Sequence, residues 1–218
     1  MKKFAVILAG CGVNDGAEIH EAVMTLWAVA KHGGSYTIFA PDINQHHVVN
    51  HLTGKEMPEK RNVLVESARI ARGKIIPLSR FQARDFDALV LPGGFGVAKN
   101  LCNWAFSGPQ MEVLPEVSKA IKDMVALKKP VGALCISPVI LAKLFPGATV
   151  TIGSDPSTIA GIEKMGGVHL STTHGEVIHD ATFNLFTSPC YMLDATILQI
   201  ADGADNMLAA ISRQMAED

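Results

Sequence analysis

The sequence predicts an α/β fold, with a mostly parallel sheet covered by helices on both faces. Three observations carry this. Short, fully apolar runs alternate with longer helix-like segments along the chain. Strands of a parallel sheet are buried on both faces and read as such continuous runs. Glycine-rich turns follow two of the runs, at Gly10-Cys11-Gly12-Val13-Asn14-Asp15-Gly16 and Pro92-Gly93-Gly94-Phe95-Gly96. A third run passes directly into a helix through Cys135, in Gly132-Ala133-Leu134-Cys135-Ile136-Ser137-Pro138.

In chain order, residues 3–9 predict a buried strand and 17–32 a helix stopped by Gly33-Gly34. Residues 35–40 predict a second strand ending at Pro41, and 42–61 read as irregular. A helix over 62–72 and strands over 74–78 and 87–91 follow, then a long helical region to about 128. Residues 130–134 form the strand entering Cys135, and 136–145 the helix after it. Strands are expected over 148–152, 168–170, 175–178 and 183–187, with a closing amphipathic helix over 195–215. No repeat, low-complexity tract or linker divides the chain, so 1–218 reads as a single domain.

The 218 residues are 48% hydrophobic and 18% charged, with a formal net charge of −2. This composition supports a large core, and without a basic stripe it argues against nucleic-acid or anionic-membrane partners. The apolar start is too short for a signal peptide, and no run is long enough to span a bilayer. The four cysteines, Cys11, Cys102, Cys135 and Cys190, are scattered without a C-x-x-C pair. That spacing disfavours a disulfide framework or zinc site and predicts a reducing, cytoplasmic location.

Active sites of such sheets lie at the carboxyl ends of strands, where both glycine turns and Cys135 are expected to converge. A cysteine delivered from strand to helix on a sharp turn is presented as a nucleophile, and the helix end should lower its pKa. A structural cysteine ending a core strand would fit the same segment, so the neighbouring loops decide. Backbone N–H groups of Gly94 or Phe95, with that of Ile136, would form an oxyanion hole. The Gly-Gly-Phe-Gly loop lacks both the spacing of a dinucleotide fingerprint and the lysine of a phosphate loop.

In the first helix, Ile19, Val23, Leu26, Trp27 and Ala30 make one apolar face, and Met24 and Ala28 extend apolar character to a second stripe that carries Glu21. This is the pattern of a helix buried on two sides, with a subunit partner as one source of cover. A carboxylate there would be desolvated, its pKa raised, and suited to moving a proton beside the thiol. Glu18 competes for that role, but favourable charge in the first helical turn explains it as well.

His46, His47 and His51 fall in the irregular segment and read as an exposed loop more readily than as a metal site, with His51 placed near the pocket edge. His174-Gly175-Glu176 has the H-x-E pattern of an amidotransferase triad, but its flanks read as strand and hairpin.

Together these features resemble the superfamily of PfpI proteases, the Parkinsonism-associated deglycase and class I glutamine amidotransferase domains. More specifically, the chain resembles the ElbB family, also called enhancing lycopene biosynthesis protein 2 or isoprenoid biosynthesis protein with amidotransferase-like domain. The matching segments are Asp15-Gly16-Ala17-Glu18-Ile19-His20-Glu21, Asn50-His51-Leu52-Thr53-Gly54, residues 61–70, residues 91–101 (which include Asn100) and Cys135-Ile136-Ser137-Pro138. The resemblance implies a flavodoxin-like three-layer sandwich with a cysteine nucleophile elbow, as a homodimer. It also implies a cofactor-free, metal-free and glutathione-independent glyoxalase that turns glyoxal into glycolate, with Cys135 as nucleophile and Glu21 as its acidic partner. Glu18, His51, Asn100 and His174 are further pocket candidates. Ile136 stands where the proteases carry histidine, and no histidine lies near Gly153-Ser154-Asp155, where the deglycase's third residue would fall. Peptidase activity is therefore not expected. A glutaminase-like amidotransferase and a cysteine redox sensor are the alternatives.

Overall fold

The computed structural model describes residues 1–217. Its centre is a seven-stranded sheet of order β10-β11-β7-β6-β1-β2-β5. The strands are β1 Lys3–Ile7, β2 Ser35–Ala40, β5 Ile75–Pro77, β6 Ala88–Leu91, β7 Val131–Leu134, β10 Ile178–Asp180 and β11 Leu185–Ser188. All pairings are parallel except the edge pair β10–β11. Residues 4–9 are almost wholly shielded from solvent, as a central strand buried on both faces requires.

Helices α1 (Ile19–Lys31) and α7 (Ile197–Glu217) pack together on one face, and α2 (Val63–Ile70) joins them against β2 and β5. Four residues of α7, Ile200, Met207, Leu208 and Ile211, are fully buried. Each contributes roughly 1.5–3 kcal/mol. Right-handed crossovers put α4 (Pro115–Ala126) and α5 (Pro138–Leu144) on the other face, against β6 and β7. The result is the flavodoxin-like sandwich. From β1 the chain steps outward through β2 to β5, then returns to β6 on the far side of β1. That reversal opens a crevice at the carboxyl ends of β1 and β6, where ligands of open α/β sheets bind.

Several expectations need correction. The long helical region to 128 is four pieces: a π turn at Val97–Leu101, α3 (Trp104–Ser107), a 3-10 turn at Gly108–Gln110 and α4. Gly108, at φ 48°, with Pro109 and Pro115 interrupts the helix. A helix absent from the sequence reading, α6 (Pro156–Lys164), starts at Asp155, whose side chain accepts from the Thr158 N–H, with Pro156 in the first turn. Segment 148–152 stays outside the main sheet: β8 (Thr149–Val150) pairs only with β9 (Val168–His169). The strand expected at 175–178 begins at Ile178, because Gly175 turns the chain at φ 76°. Segment 42–61 contains a two-residue hairpin, β3 (Val49–Asn50) with β4 (Lys55–Glu56).

The faces of α1 also differ from expectation. Its buried side carries Glu21, Ala22, Thr25, Leu26, Ala28 and Val29, while Ile19, Val23 and Trp27 are each more than 40% exposed. Both stripes are apolar, so periodicity alone does not say which one faces the sheet.

Candidate functional site

Cys135 ends β7 in the left-handed region, at φ 60°. A non-glycine residue held there stores about 1–3 kcal/mol of strain, so its surroundings must fix it. They do so from two sides. The Cys135 N–H donates to Ser188 O of β11 at 3.0 Å, and Ser137 Oγ donates to Pro92 O at 2.8 Å. The second bond ties the elbow to the glycine loop after β6.

Glu21 reaches the same point from the first turn of α1. Glu18 caps that helix: its Oε2 accepts from Glu21 N–H at 2.7 Å, and its own N–H donates to Gly93 O at 2.9 Å. The Glu21 carboxyl is completely buried. Its Oε2 accepts from Gly93 N–H at 2.9 Å and its Oε1 from Tyr191 N–H at 3.1 Å. The Cys135 sulfur lies against this carboxyl and receives the Gly94 N–H. Residue 93 must be glycine at this contact. A Cβ there would sit 2.3 Å from Cys135 Cβ, 2.6 Å from Glu21 Oε2 and 2.8 Å from Cys135 Sγ.

Burial sets the acidity of the pair. Loss of water pushes the Glu21 carboxyl up to about 8, with the nearby Glu18 adding to the effect and the Tyr191 and Gly93 amides and the thiol opposing it. Burial, then the neighbouring Glu21, raises the Cys135 thiol well above its ordinary value. This corrects the expectation that a helix end would lower it. Helix α5 is only seven residues long and starts at Pro138, so burial outweighs its dipole. Two acids in contact in one dry site hold at most one negative charge near neutrality.

Cys135 opens into a cavity of about 480 Å³. Gly94, Phe95, Cys135 and Ile136, from the loops after β6 and β7, contribute to its lining; Trp104, Asp155, Thr158, Tyr191 and Met192 come from other elements. Among the described residues, the Ile136 N–H has no hydrogen-bond partner within the chain, so it is available to an oxyanion; the Gly94 N–H rests on the sulfur and would have to leave it to serve as the second donor. The Phe95 N–H is not, because it donates to Val13 O at 2.8 Å. Phe95 contributes its ring instead.

The other pocket candidates hold the scaffold. Asn100 Nδ2 donates to Ala9 O and Asp15 O, each at 3.0 Å, and its Oδ1 accepts from His46 N–H at 2.9 Å. His51 Nε2 accepts from Asn14 N–H at 3.1 Å and its Nδ1 pairs with Val49 O at 3.0 Å. Glu18 is the helix cap. His174 is exposed, in a turn that Asn206 fixes to α7 by donating to Gly175 O at 2.8 Å, and it does not line the cavity. His46 and His47 stack around Phe106 at centroid distances of 4.2 and 5.7 Å.

Sequence reasoning missed Tyr191, Trp104 and Asp155. For Tyr191 a signal existed, since it follows β11 at a strand's carboxyl end. For Asp155 the Asp-Pro pair opening a helix was readable. Nothing local marks Trp104.

No family model matches the chain. Among known proteins, it is 39% identical over 219 residues to the ES1 protein homolog, mitochondrial, of Rattus norvegicus, covering 96% of this chain and 82% of the relative. The same figures hold for the glutamine amidotransferase-like class 1 domain-containing protein 3, mitochondrial, of Homo sapiens. Both names place those relatives in the mitochondrion and lend no support to the expected cytoplasmic location. A solved structure of an isoprenoid biosynthesis protein with amidotransferase-like domain from Ehrlichia chaffeensis superposes with a TM-score of 0.91 at 38% identity, covering 97% of this chain and 99% of that one. DJ-1beta of Drosophila melanogaster, at 19% identity and a TM-score of 0.55, shares the fold. With relatives of this identity aligned along nearly its whole length, the chain belongs to the ES1 family of amidotransferase-like proteins.

Proposed function

We propose that this chain is an ElbB-type glyoxalase, a cysteine-dependent, cofactor-free enzyme that converts glyoxal and water to glycolate. The observation that carries the reading is the buried Glu21 carboxyl set against the Cys135 thiol at the floor of a cavity, with two backbone N–H groups beside it. The sulfur adds to one aldehyde carbon of glyoxal (C1), and its proton passes by way of the Glu21 carboxylate to the oxygen on C1, giving a hemithioacetal and leaving Glu21 free to act as base. The Gly94 and Ile136 N–H groups hold the oxygen on C1. Glu21 moves the C1 proton to the neighbouring carbon (C2), so C1 rises to a thioester as C2 falls to an alcohol. Water cleaves the thioester and restores the thiol. No outside oxidant or reductant is needed.

The test is glycolate formation by wild-type and Cys135→Ala protein. A loss of at least a thousandfold is expected, and undiminished turnover in the variant sinks the assignment. The names of the relatives favour a second reading, glutamine hydrolysis, which needs a histidine beside the nucleophile. The exposed His174 does not supply one. Ammonia release from glutamine, abolished by His174→Ala, would favour it. A redox sensor is less well supported, because such cysteines carry a lowered pKa and stand open to solvent, while Cys135 is raised and only 6% exposed.

The four unpaired cysteines fit a reducing compartment, and no helix among the described residues is long and apolar enough to cross a membrane. We further propose that the chain works as a homodimer in which a second copy covers Ile19, Val23 and Trp27. These recur at i, i+4 and i+8 on one exposed stripe. Trp27→Glu is expected to yield a monomer in sedimentation at micromolar concentration, and an unchanged mass would remove the stripe from the interface.

A further inference from the structure

The glyoxalase chemistry leaves one demand unmet. When the C1 proton is removed, negative charge develops on the oxygen of C2, which must gain a proton as O1 later loses one. Glu21 is engaged with carbon and sulfur, and the Gly94 and Ile136 N–H groups face the oxygen on C1. The cavity's other polar side chains are Asp155, Thr158, Tyr191 and the Trp104 indole, whose N–H can donate a hydrogen bond but cannot give up its proton. Asp155 Oδ2 already accepts from Thr158 N–H at 2.8 Å, Thr158 Oγ1 at 2.7 Å and Ser157 Oγ at 2.7 Å. The Thr158 hydroxyl is thereby committed, and Asp155 is an acceptor whose pKa these donors lower. Tyr191 alone remains as a donor able to transfer its proton.

Its position fits the task. The Tyr191 backbone N–H fixes Glu21 Oε1 at 3.1 Å, while the side chain lines the cavity. One residue therefore orients the carboxyl and presents a phenol to the same space. The phenol oxygen pairs with His20 Nδ1 at 2.8 Å, which leaves the hydroxyl proton free for the cavity in the tautomer whose Nδ1 donates, and His20 is exposed to solvent. His20 precedes Glu21 in α1, so the relay and the acid share one turn of helix. The phenol's pKa is itself raised, by burial and by Glu18 and Glu21, which keeps it a donor.

Resting on the glyoxalase reading, we propose that Tyr191 and His20 form a proton relay that serves the second oxygen of the bound dicarbonyl. Tyr191 gives its hydroxyl proton to the C2 oxygen as the enediol forms. His20 replaces that proton from solvent. O1 releases one proton to solvent when the thioester forms, so the protons balance over the cycle. The relay does on the solvent side what an adjacent histidine would do in a histidine-bearing site.

The experiment compares glycolate formation by wild-type, Tyr191→Phe, His20→Ala and Cys135→Ala proteins, alongside the mass of Cys135 after a brief exposure to glyoxal. Tyr191→Phe keeps the ring and the backbone donor to Glu21 and loses only the hydroxyl. Its kcat should fall about a hundredfold with little change in KM, and the glyoxal adduct should accumulate on Cys135. His20→Ala should lose about tenfold in kcat and recover most of it in added imidazole, which a purely structural role for the ring would not allow. Its pH profile should lose one limb. Wild-type kcat in Tyr191→Phe, or a His20→Ala defect indifferent to imidazole, overturns the relay and leaves the thiol chemistry standing. Absence of both adduct and glycolate in wild-type protein overturns the glyoxalase reading, and the relay with it.

Discussion

Two glycines, one packed against Cys135 and the other against Trp104, do opposite kinds of work. Gly93 leaves no room at a point where everything around it is fixed: the strained elbow, a buried carboxyl and a sulfur. Gly161, in the middle of α6, leaves room for one mobile neighbour. A Cβ there would meet Trp104 Cη2 at 2.3 Å, and its next neighbours, at 3.1 and 3.3 Å, are two further atoms of the same indole. The Cys135 wall is held by hydrogen bonds to backbone groups of Gly93, Pro92 and Ser188. The Trp104–Asp155–Tyr191 wall is assembled from side chains that arrive on three separate elements. The first is therefore rigid and locally encoded, and the second adjustable and encoded at a distance.

The sharpest break of this contrast is Gly93→Ala. No flexible group can absorb contacts of 2.3–2.8 Å to Cys135 and Glu21. The loop must move, taking the Gly93 and Gly94 N–H groups away from the carboxyl and the sulfur. Turnover should fall on the order of a thousandfold, with a loss of about 1–3 kcal/mol in stability measured by denaturant. A variant with near-normal activity would show that the wall is not rigid.

Glu21 tests the same wall through pH. Its carboxyl titrates near 4.5 when unfolded and near 8 when folded. Between those values the native state keeps a proton that the unfolded chain has released, so stability falls as pH rises. The contribution is complete below about 4.5 and gone above about 8, with a slope of at most about 1.4 kcal/mol per pH unit. Cys135, also raised, adds loss of the same sign at higher pH. Chemical denaturation across pH 4–9 should show this slope in wild-type protein and its loss in Glu21→Gln. The variant should also lose at least a hundredfold in turnover. An equal slope in both proteins would mean that Glu21 is ionised in the native state.

The division between the walls is also the division between what the sequence disclosed and what it did not. Cys135, Glu21 and the Gly94 loop were legible because each lies at a strand end or helix start that its own segment announces. Glu21 is legible as a buried acid, although periodicity alone does not tell its stripe from the one of Ile19, Val23 and Trp27, which stands exposed in the single chain. Phe95 is at the cavity with its amide tied to Val13, and Asn100 and His51 hold the neighbouring loops. Which amide is free, and which side chain is tied to a carbonyl, depends on loops that meet only in three dimensions. Trp104 and Tyr191 lie 31 residues before and 56 after Cys135, and no spacing rule connects such positions.

Gly161→Ala sharpens the contrast most finely, because two terms oppose each other. Alanine in a helix interior gains about 0.8–1.0 kcal/mol over glycine. The new methyl group collides with the far edge of the Trp104 indole, and moderate overpacking costs about 1–3 kcal/mol. The ring is only partly buried and borders open cavity, so it has somewhere to go. The relief comes from its rotation into the cavity, and the net stability change should lie within about 1 kcal/mol of zero. Function should register what stability does not. An indole displaced into the cavity narrows the approach to Cys135, raising KM for glyoxal severalfold while kcat holds. Trp104→Leu on the same background removes the collision and should return KM toward the wild-type value. A KM unmoved by Gly161→Ala would mean that the indole turns outward, and that this wall yields toward solvent rather than toward the substrate.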